Sequence, residues 1–432
     1  MKVAFDLRTL QIGHQYRGIG ICLQNILTQL QKNSDQIKHW ELVFYLYENH
    51  QVPTILNDYN ISHRIINTKE ILPPHDRLKP VRYLKKLYSS WRKANSINHL
   101  PEIKHIDVFV QFDFLLGVPN HPGVKNALIK YDLIPLIFEE YYLPTFSQTW
   151  TYTRSVMAAA KGQFHRSRYF WHLRKSLQRT DLVLAISEHT KHDLVNYLNV
   201  DEQKIKPLLL AADELMSVTR NEPKDKLFWS LDWRFIPSQR RYRSLSIKDK
   251  PYILYIGGVD PRRRIQDLIL SYNLLRAEGI DCALVLAGYD LQDLETIPNE
   301  DVREALKCSS YSDNIYLLGF VTPEEKKLLY QNAVAFVYPT LYEGFGLPVL
   351  EAMQQGCPVV CYNNPSLAEV VGGAALYANV AEDIAFIIKR LLVDKNLRKQ
   401  TISAGKKQAK KFSWQRTTSK FIELIESLES KR

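Results

Sequence analysis

Nowhere does the chain offer the roughly 18 consecutive apolar residues that a membrane-spanning helix needs. Its first residues, Met1 to Leu10, mix charged with apolar side chains and build no uninterrupted apolar stretch of the kind an export signal carries. Neither a membrane span nor classical export is expected, and a cytoplasmic location follows. Cysteine is sparse: Cys22, Cys282, Cys308, Cys357 and Cys361 are odd in number and scattered, with no CxxC pair and no Cys/His cluster at ligand spacing. That composition fits a reducing compartment and speaks against structural zinc. The histidines show no HExxH-type spacing, and no DxD-type carboxylate pair stands at the end of an apolar run, so a divalent metal is not expected. Short-period repeats and low-complexity tracts are also lacking, which removes solenoid and collagenous folds.

What is present is an ordinary globular composition. Hydrophobic residues make up 45% and charged residues 24%, too apolar for a disordered scaffold, and 432 residues allow two or three domains. The net charge of +11 points to an acidic partner such as nucleic acid, an anionic membrane surface or a phosphorylated substrate. No RRM, helix-turn-helix or zinc-finger pattern accompanies it, so nucleic acid is not an expected partner. The cations concentrate in two places. Between Asp76 and Leu100 stand Arg77, Lys79, Arg82, Lys85, Lys86, Arg92 and Lys93 against one acid, with Leu78, Val81, Leu84, Leu87, Tyr88 and Trp91 at helical spacings. This reads as a basic amphipathic helix able to lie on anionic lipid. A second stretch, Arg154 to Thr180, carries seven cations and no acid, with four aromatic residues among them.

Short apolar runs alternate with helical patterns along the whole chain, the signature of parallel sheets built from crossover units. Strands are expected at 2–5, 41–45, 108–112, 124–131 and 182–185, and again at 252–256, 283–287, 315–318, 335–338 and 359–361. Two such series imply two doubly wound domains. Residues 217–250, polar and aromatic without a sustained period, divide them as a linker. The expected organisation is therefore 1–216, a linker over 217–250, 251–413, and a terminal helix over 414–432 long enough to cross back to the first domain.

The most informative segment runs from Tyr338 to Met353 and reads YPTLYEGFGLPVLEAM. An apolar run leads into a glycine-bearing loop, Pro348 stands where a helix would begin, and Glu351 is expected in its first turn. The loop then ends at a helix N-terminus, where unpaired N–H groups and the helix dipole favour an anion such as a diphosphate. Gly344 and Gly346 let the backbone approach a ligand closely because they carry no Cβ.

Glu343 and Glu351, separated by seven residues, resemble the E-x7-E motif of the family 4 glycosyltransferases of group 1 type. That resemblance implies the GT-B fold: two Rossmann-like α/β domains facing a cleft, with a C-terminal helix crossing back to the first. It also implies a retaining reaction on a nucleotide-sugar donor. By the same resemblance Glu343 contacts the donor sugar, Gly344, Phe345, Gly346 and Leu347 offer backbone to sugar and phosphate, and Glu351 binds the nucleotide ribose. Tyr252 to Arg264, reading YILYIGGVDPRRR, is similar to the strand and basic loop that open the family's donor domain. There Gly257 and Gly258 line the donor, and Arg262, Arg263 and Arg264 supply the positive charge that a departing diphosphate needs. In the first half, Arg17-Gly18-Ile19-Gly20 resembles the family's glycine-rich loop, so Gly18 and Gly20 are donor-binding candidates. Lys130-Tyr131-Asp132 resembles a segment that normally reads His-Asp; Asp132 matches a catalytic-cleft aspartate and Tyr131 takes the histidine's place. Ser187 and Glu188 match the stretch that closes the first domain.

The expected function is a retaining hexosyltransferase that moves a sugar, GDP-mannose being the favoured donor, to a hydroxyl of a saccharide or lipid-linked acceptor in cell-surface polysaccharide or glycoconjugate synthesis. No cofactor is expected beyond the nucleotide-sugar donor itself. The basic 76–100 segment would place the enzyme on the inner face of the plasma membrane. The alternative is an inactive glycosyltransferase-like binding subunit, which Tyr131 favours and the intact Glu343 and Glu351 oppose. A phosphorylase or epimerase on the same fold would need a pyridoxal-phosphate lysine or a phosphate site for which no motif is visible.

Overall fold

The computed structural model describes residues 1–12, 18–57, 59–68, 97–145, 147–149, 156–212 and 250–429. The expected linker up to Asp249, most of the 76–100 segment, and Arg17 and Arg154 lie outside the described residues. The chain forms two compact units, Met1–Leu210 together with Trp414–Arg432, and Ala211–Ser413.

In the first unit the described strands are β1 (Lys2–Asp6), β2 (Glu41–Tyr47), β3 (His63–Thr68), β4 (Val108–Gln111), β5 (Lys125–Lys130), β6 (Leu182–Ala185) and β7 (Ile205–Pro207), ordered 3-2-1-4-5-6-7. Every pairing is parallel. The central strands are near-continuous apolar runs because helices cover both faces of such a sheet. Phe5 of β1 lies against Phe44 and, at 6.0 Å, against Phe421 of the Trp414–Glu426 helix. That helix buries Trp414, Phe421, Ile422 and Ile425 in this unit, and Thr417 donates to the Leu209 carbonyl at 2.7 Å. Burying Phe421 alone contributes roughly 1.5–3 kcal/mol. The C-terminal helix thus returns to the first unit, as expected from its length.

The second unit holds β8 (Tyr252–Ile256), β9 (Ala283–Ala287), β10 (Ile315–Gly319), β11 (Ala335–Tyr338), β12 (Val359–Tyr362) and β13 (Leu376–Ala378), ordered 10-9-8-11-12-13 and again all parallel. Strand order reverses between β1 and β4 in the first sheet and between β8 and β11 in the second. Open α/β sheets bind ligands beyond the carboxyl ends of their strands at such a reversal. In the first sheet that position is filled from within: buried Asp6 accepts from Arg8 Nε at 2.8 Å and from Gln111 Nε2 at 2.8 Å.

The ten expected strands are all present, four with unchanged bounds. Three further strands, β3, β7 and β13, were not visible in the sequence. Each is an edge strand, and edges lack the continuous apolar run of a central strand: β3 reads HRIINT with three exposed residues, and β7 ends in Pro207, which an edge tolerates. The second basic stretch forms the Val156–Gln178 helix.

Candidate active site

At the reversal point of the second sheet, β8 and β11 release two loops side by side, Gly257–Arg264 and Pro339–Gly346. The Leu341 amide donates to the Arg262 carbonyl at 2.8 Å, tying one loop to the other. Between them lies an ion cluster. Arg262, 5% exposed, donates through one terminal nitrogen to the Tyr342 carbonyl at 2.6 Å and to Glu343 Oε1 in a tight pair. The same carboxylate oxygen accepts from the Tyr338 hydroxyl at 2.9 Å and from Thr340 Oγ1 at 3.3 Å, and Arg263 Nε stands 3.4 Å away. Burial opposes ionisation of Glu343, but Arg262 and Arg263 outweigh it and hold the carboxyl below the ordinary range. Burial likewise disfavours charge on both arginines, and the surrounding anion and ring oxygens reverse the effect, raising both. Two buried N–H groups, Nε of Arg262 and Nε of Arg263, nonetheless make no hydrogen bond among the described residues, Arg263 Nε meeting Glu343 only as an ion pair. Buried donors left over beside a carboxylate suit an anionic ligand, since proteins pair such groups almost without exception.

One glycine in each loop has a steric reason to be there. A Cβ on Gly257 would stand 2.5 Å from an Arg263 terminal nitrogen and 2.7 Å from the Tyr255 hydroxyl, so the arginine lies folded over this loop. Gly346 has φ +104°, caps the Leu347–Gln354 helix, and would drive a Cβ to within 2.5 Å of Leu367 Cδ2. Gly258 accepts the Tyr255 hydroxyl at 2.6 Å. Gly344 is buried in the loop, and Phe345 is buried edge-on against Phe412 at 5.8 Å. Leu347 opens the helix, with Pro348 in its first positions.

Glu351 is the fifth residue of that helix, so it lies in the second turn and not in the first as expected; the helix begins at Leu347, one residue ahead of the proline. Its carboxylate shares none of Glu343's partners. Lys326 Nζ is 2.8 Å away and the Tyr330 hydroxyl 3.1 Å away. Arg264 also departs from the cluster: its φ is +47° and its guanidinium makes a two-pronged pair with Asp267, at 2.9 Å on both bonds.

Several members of the site were not singled out in the sequence. Asn364 donates to the Thr340 carbonyl at 2.8 Å, accepts from Ser366 Oγ, and Ser366 Oγ accepts from the Glu343 amide at 3.2 Å, so this pair fixes the loop that carries Glu343. Asn364-Pro365-Ser366 is a legible helix start, an N-cap residue followed by proline. Tyr338, Thr340, Lys326 and Tyr330 carry no such signal.

The remaining candidates belong to the first unit. Gly18 opens the Gly18–Lys32 helix, where a Cβ would meet no atom of the described residues within 4 Å, and Gly20, two residues on, is buried. The Tyr131 hydroxyl reaches toward the Ile19 carbonyl, at 3.5 Å, and meets Cys22, whose thiol burial pushes up to about 12. Burial holds the Tyr131 phenol well above its ordinary value, so it stays protonated and acts as a hydrogen-bond donor here. Asp132 accepts from the Ile134 amide at 3.0 Å, shaping the turn after β5. Ser187 caps the Glu188–Leu198 helix, accepting from the Thr190 amide at 2.9 Å. Lys130 is buried with its ammonium 4.5 Å from the Phe114 ring centroid.

Comparison with known proteins bears on the same loops. Residues 239–408 match the family described as glycosyl transferases group 1. The second unit is a group 1 glycosyl transferase domain. The chain is 33% identical over 253 residues to O-antigen chain mannosyltransferase B of Escherichia coli, covering 58% of this chain and 61% of that protein. It is 24% identical over 442 residues to the serotype-specific mannosyltransferase WbdA of Escherichia coli, covering 98% of this chain and 48% of that protein. The chain therefore spans between about half and three-fifths of these relatives' lengths. Among solved structures, Anabaena Alr3699/HepE in complex with UDP-glucose superposes with a TM-score of 0.65 at 14% identity, both chains being covered completely. WaaG, a glycosyltransferase involved in lipopolysaccharide biosynthesis, gives 0.61 at 14% identity, covering 98% of this chain. The fold is thus the GT-B architecture of two Rossmann-like α/β domains, and the glycosyl transferase domain supplies the Glu343, Arg262 and Glu351 clusters.

Proposed function

We propose that this protein is a retaining hexosyltransferase, moving a sugar from a nucleoside diphosphate to a hydroxyl of a saccharide or lipid-linked acceptor during cell-surface polysaccharide synthesis. The observation that carries the reading is the buried cluster at the sheet reversal, where Glu343 is held by Arg262 and Tyr338 while two arginine Nε groups keep an unmade hydrogen bond. Glu343 would accept hydroxyls of the donor sugar, and the arginines would face its diphosphate. Breaking the bond between the anomeric carbon and the phosphate oxygen leaves charge on the diphosphate, which fixed cations stabilise as it develops. The departing phosphate then takes the proton of the acceptor hydroxyl as the new carbon–oxygen bond forms on the same face. Guanidinium groups supply the positive charge, and no divalent metal is required; complete loss of activity in EDTA, restored by magnesium or manganese, would refute that part. The mannosyltransferase relatives support GDP-mannose as donor.

The deciding experiment incubates the full chain with a panel of nucleotide sugars and an oligosaccharide acceptor, following nucleoside diphosphate release and the anomeric configuration of the product by NMR. Release with a retained α-anomer supports the reading, and an inverted product refutes it. Binding of donor with no turnover on any acceptor favours the inactive-subunit alternative, which Tyr131 supports because its hydroxyl is turned to the Ile19 carbonyl. The 76–100 segment is proposed to dock on anionic lipid, each Lys or Arg near the surface contributing about 1 kcal/mol. Failure to co-sediment with phosphatidylglycerol vesicles at low salt would reject it. Among the described residues no helix is long and apolar enough to cross a membrane.

A further inference from the structure

Glu351 is enclosed, its side chain 8% exposed, yet it is not left as a bare anion. Lys326 Nζ stands 2.8 Å from each of its oxygens, and the Tyr330 hydroxyl donates to Oε2 at 3.1 Å. Lys326 and Tyr330 are four residues apart on the Pro323–Asn332 helix and so share one face of it. That helix is anchored at its start. Thr322 Oγ1 accepts from the Glu325 amide at 3.3 Å, the Glu325 carboxylate accepts from the Thr322 amide at 2.7 Å, and Pro323 fixes the entry dihedral. Tyr330 is fully buried with its ring edge-on to Phe336 at 5.3 Å, and burial keeps its phenol protonated and donating. The lysine is the more exposed partner, at 23%, and reaches the carboxylate from the rim.

An ionised carboxylate has about four acceptor sites on its two oxygens. The helix-borne ammonium and phenol occupy those on their own side and leave the others to a ligand. We propose that Lys326, backed by Tyr330, is a positioning residue for the nucleotide: it neutralises Glu351 in a nearly water-free site and presets the carboxylate for a vicinal diol. The inference rests on the reading that Glu351 takes the ribose hydroxyls. Lys326 touches none of the reacting atoms; it acts by removing the cost of orienting the acceptor when the nucleotide arrives. A buried carboxylate stripped of its cation is unfavourable and free to turn away.

The test measures GDP and UDP binding to the full chain by calorimetry, and donor kinetics. Lys326→Met is expected to weaken nucleotide binding about ten-fold, a change of about 1.4 kcal/mol. The donor KM should rise in parallel while kcat changes less than about two-fold. Lys326→Arg, which keeps the charge, should recover binding to within about three-fold of wild type. In a Glu351→Gln background the Lys326→Met change should cost less than about two-fold, because the lysine acts through the carboxylate. Unchanged or tighter binding in Lys326→Met, or an equal loss with and without Glu351, overturns the proposal. If Glu351→Gln by itself leaves nucleotide affinity intact, the ribose reading fails and the positioning role falls with it. Loss in Glu351→Gln without loss in Lys326→Met sinks the positioning role alone.

Discussion

Removing the Arg262 guanidinium is the most direct perturbation of the Glu343 cluster. In Arg262→Met the side chain keeps an unbranched apolar stem, but Glu343 loses the cation that lies against it. Both groups are almost wholly enclosed, Arg262 5% exposed and Glu343 8%. Deleting one member of such a pair costs about 3–5 kcal/mol, because the other stays buried and uncompensated. Here the loss belongs at the lower end, about 3 kcal/mol, since Arg263 at 3.4 Å and the Tyr338 hydroxyl at 2.9 Å remain on the carboxylate. For a unit of this size, with about 2–4 °C per kcal/mol, the melting temperature of the second domain should fall by roughly 6–12 °C.

The pH dependence gives this prediction its discriminating power. Glu343 titrates below its ordinary value of 4.5 in the folded protein, so its pairing stabilises the fold above that pH and the contribution is lost as pH falls through the folded value. The gap between wild type and Arg262→Met should therefore be widest near neutrality and narrow as the pH falls below 4.5 and through the depressed value of the folded protein. A double-mutant cycle with Glu343→Gln should give a coupling energy of about 1–3 kcal/mol at about pH 7. Scanning calorimetry between about pH 3 and 7 supplies all four corners. A melting shift under about 2 °C near neutrality, or a gap that is constant with pH, would refute the claim that this ion pair holds the loop.

Further tests bear on separate roles. Glu351→Gln should weaken free nucleotide binding by about 1.5–3 kcal/mol in calorimetry, as expected for a charge-assisted hydrogen bond, whereas Glu343→Gln should lower kcat/KM and leave free nucleotide affinity nearly intact. Arg263→Ala should reduce turnover far more than Arg264→Ala, because Arg264 is committed to Asp267 and its side chain is 41% exposed; equal losses in steady-state assays would place the phosphate elsewhere. Gly346→Ala should destabilise by about 1–3 kcal/mol in urea titrations, since φ +104° and a Cβ at 2.5 Å from Leu367 both oppose it.

The central strands were legible because a parallel sheet covered on both faces writes itself as apolar runs, and the crossover helices left their own period between them. The edges were not, because a strand such as His63–Thr68 carries half its residues to solvent. The glycine-bearing loop and its helix start were legible from Gly346 and Pro348, whose backbone demands are local. The partners of each glutamate were not. Arg262 and Glu343 are 81 residues apart and meet only because β8 and β11 are neighbours in the sheet, a pairing that no local pattern announces. Lys326 and Tyr330 are spaced like any helical pair, and nothing in that spacing says which carboxylate they face.

Charge shows where composition misleads and where it does not. A net charge of +11 invites the picture of a basic surface, but the cations of the glycosyl transferase domain that stand nearest the site are paired with acids: Arg262 and Arg263 with Glu343, and the more exposed Arg264 with Asp267. The second basic stretch is divided in the same way. Along the Val156–Gln178 helix, Arg166 pairs with Glu139 and Lys175 lies 4.4 Å from the Trp171 ring centroid, while Lys161 and Arg174 face solvent. Burial lowers the affinity of Arg168, Lys175 and Arg179 for their protons, the direction expected of cations packed onto a fold and not held out to a partner. A surface that attracts anionic lipid needs cations in water at the protein's rim, where each acts over a Debye length of about 8 Å at physiological salt. The Val156–Gln178 helix keeps too few of its cations there to do this alone. The membrane proposal therefore rests on the 76–100 segment, and neutralising Lys85, Lys86, Arg92 and Lys93 should abolish vesicle binding, whereas neutralising Lys161 and Arg174 should weaken it by no more than about 2 kcal/mol.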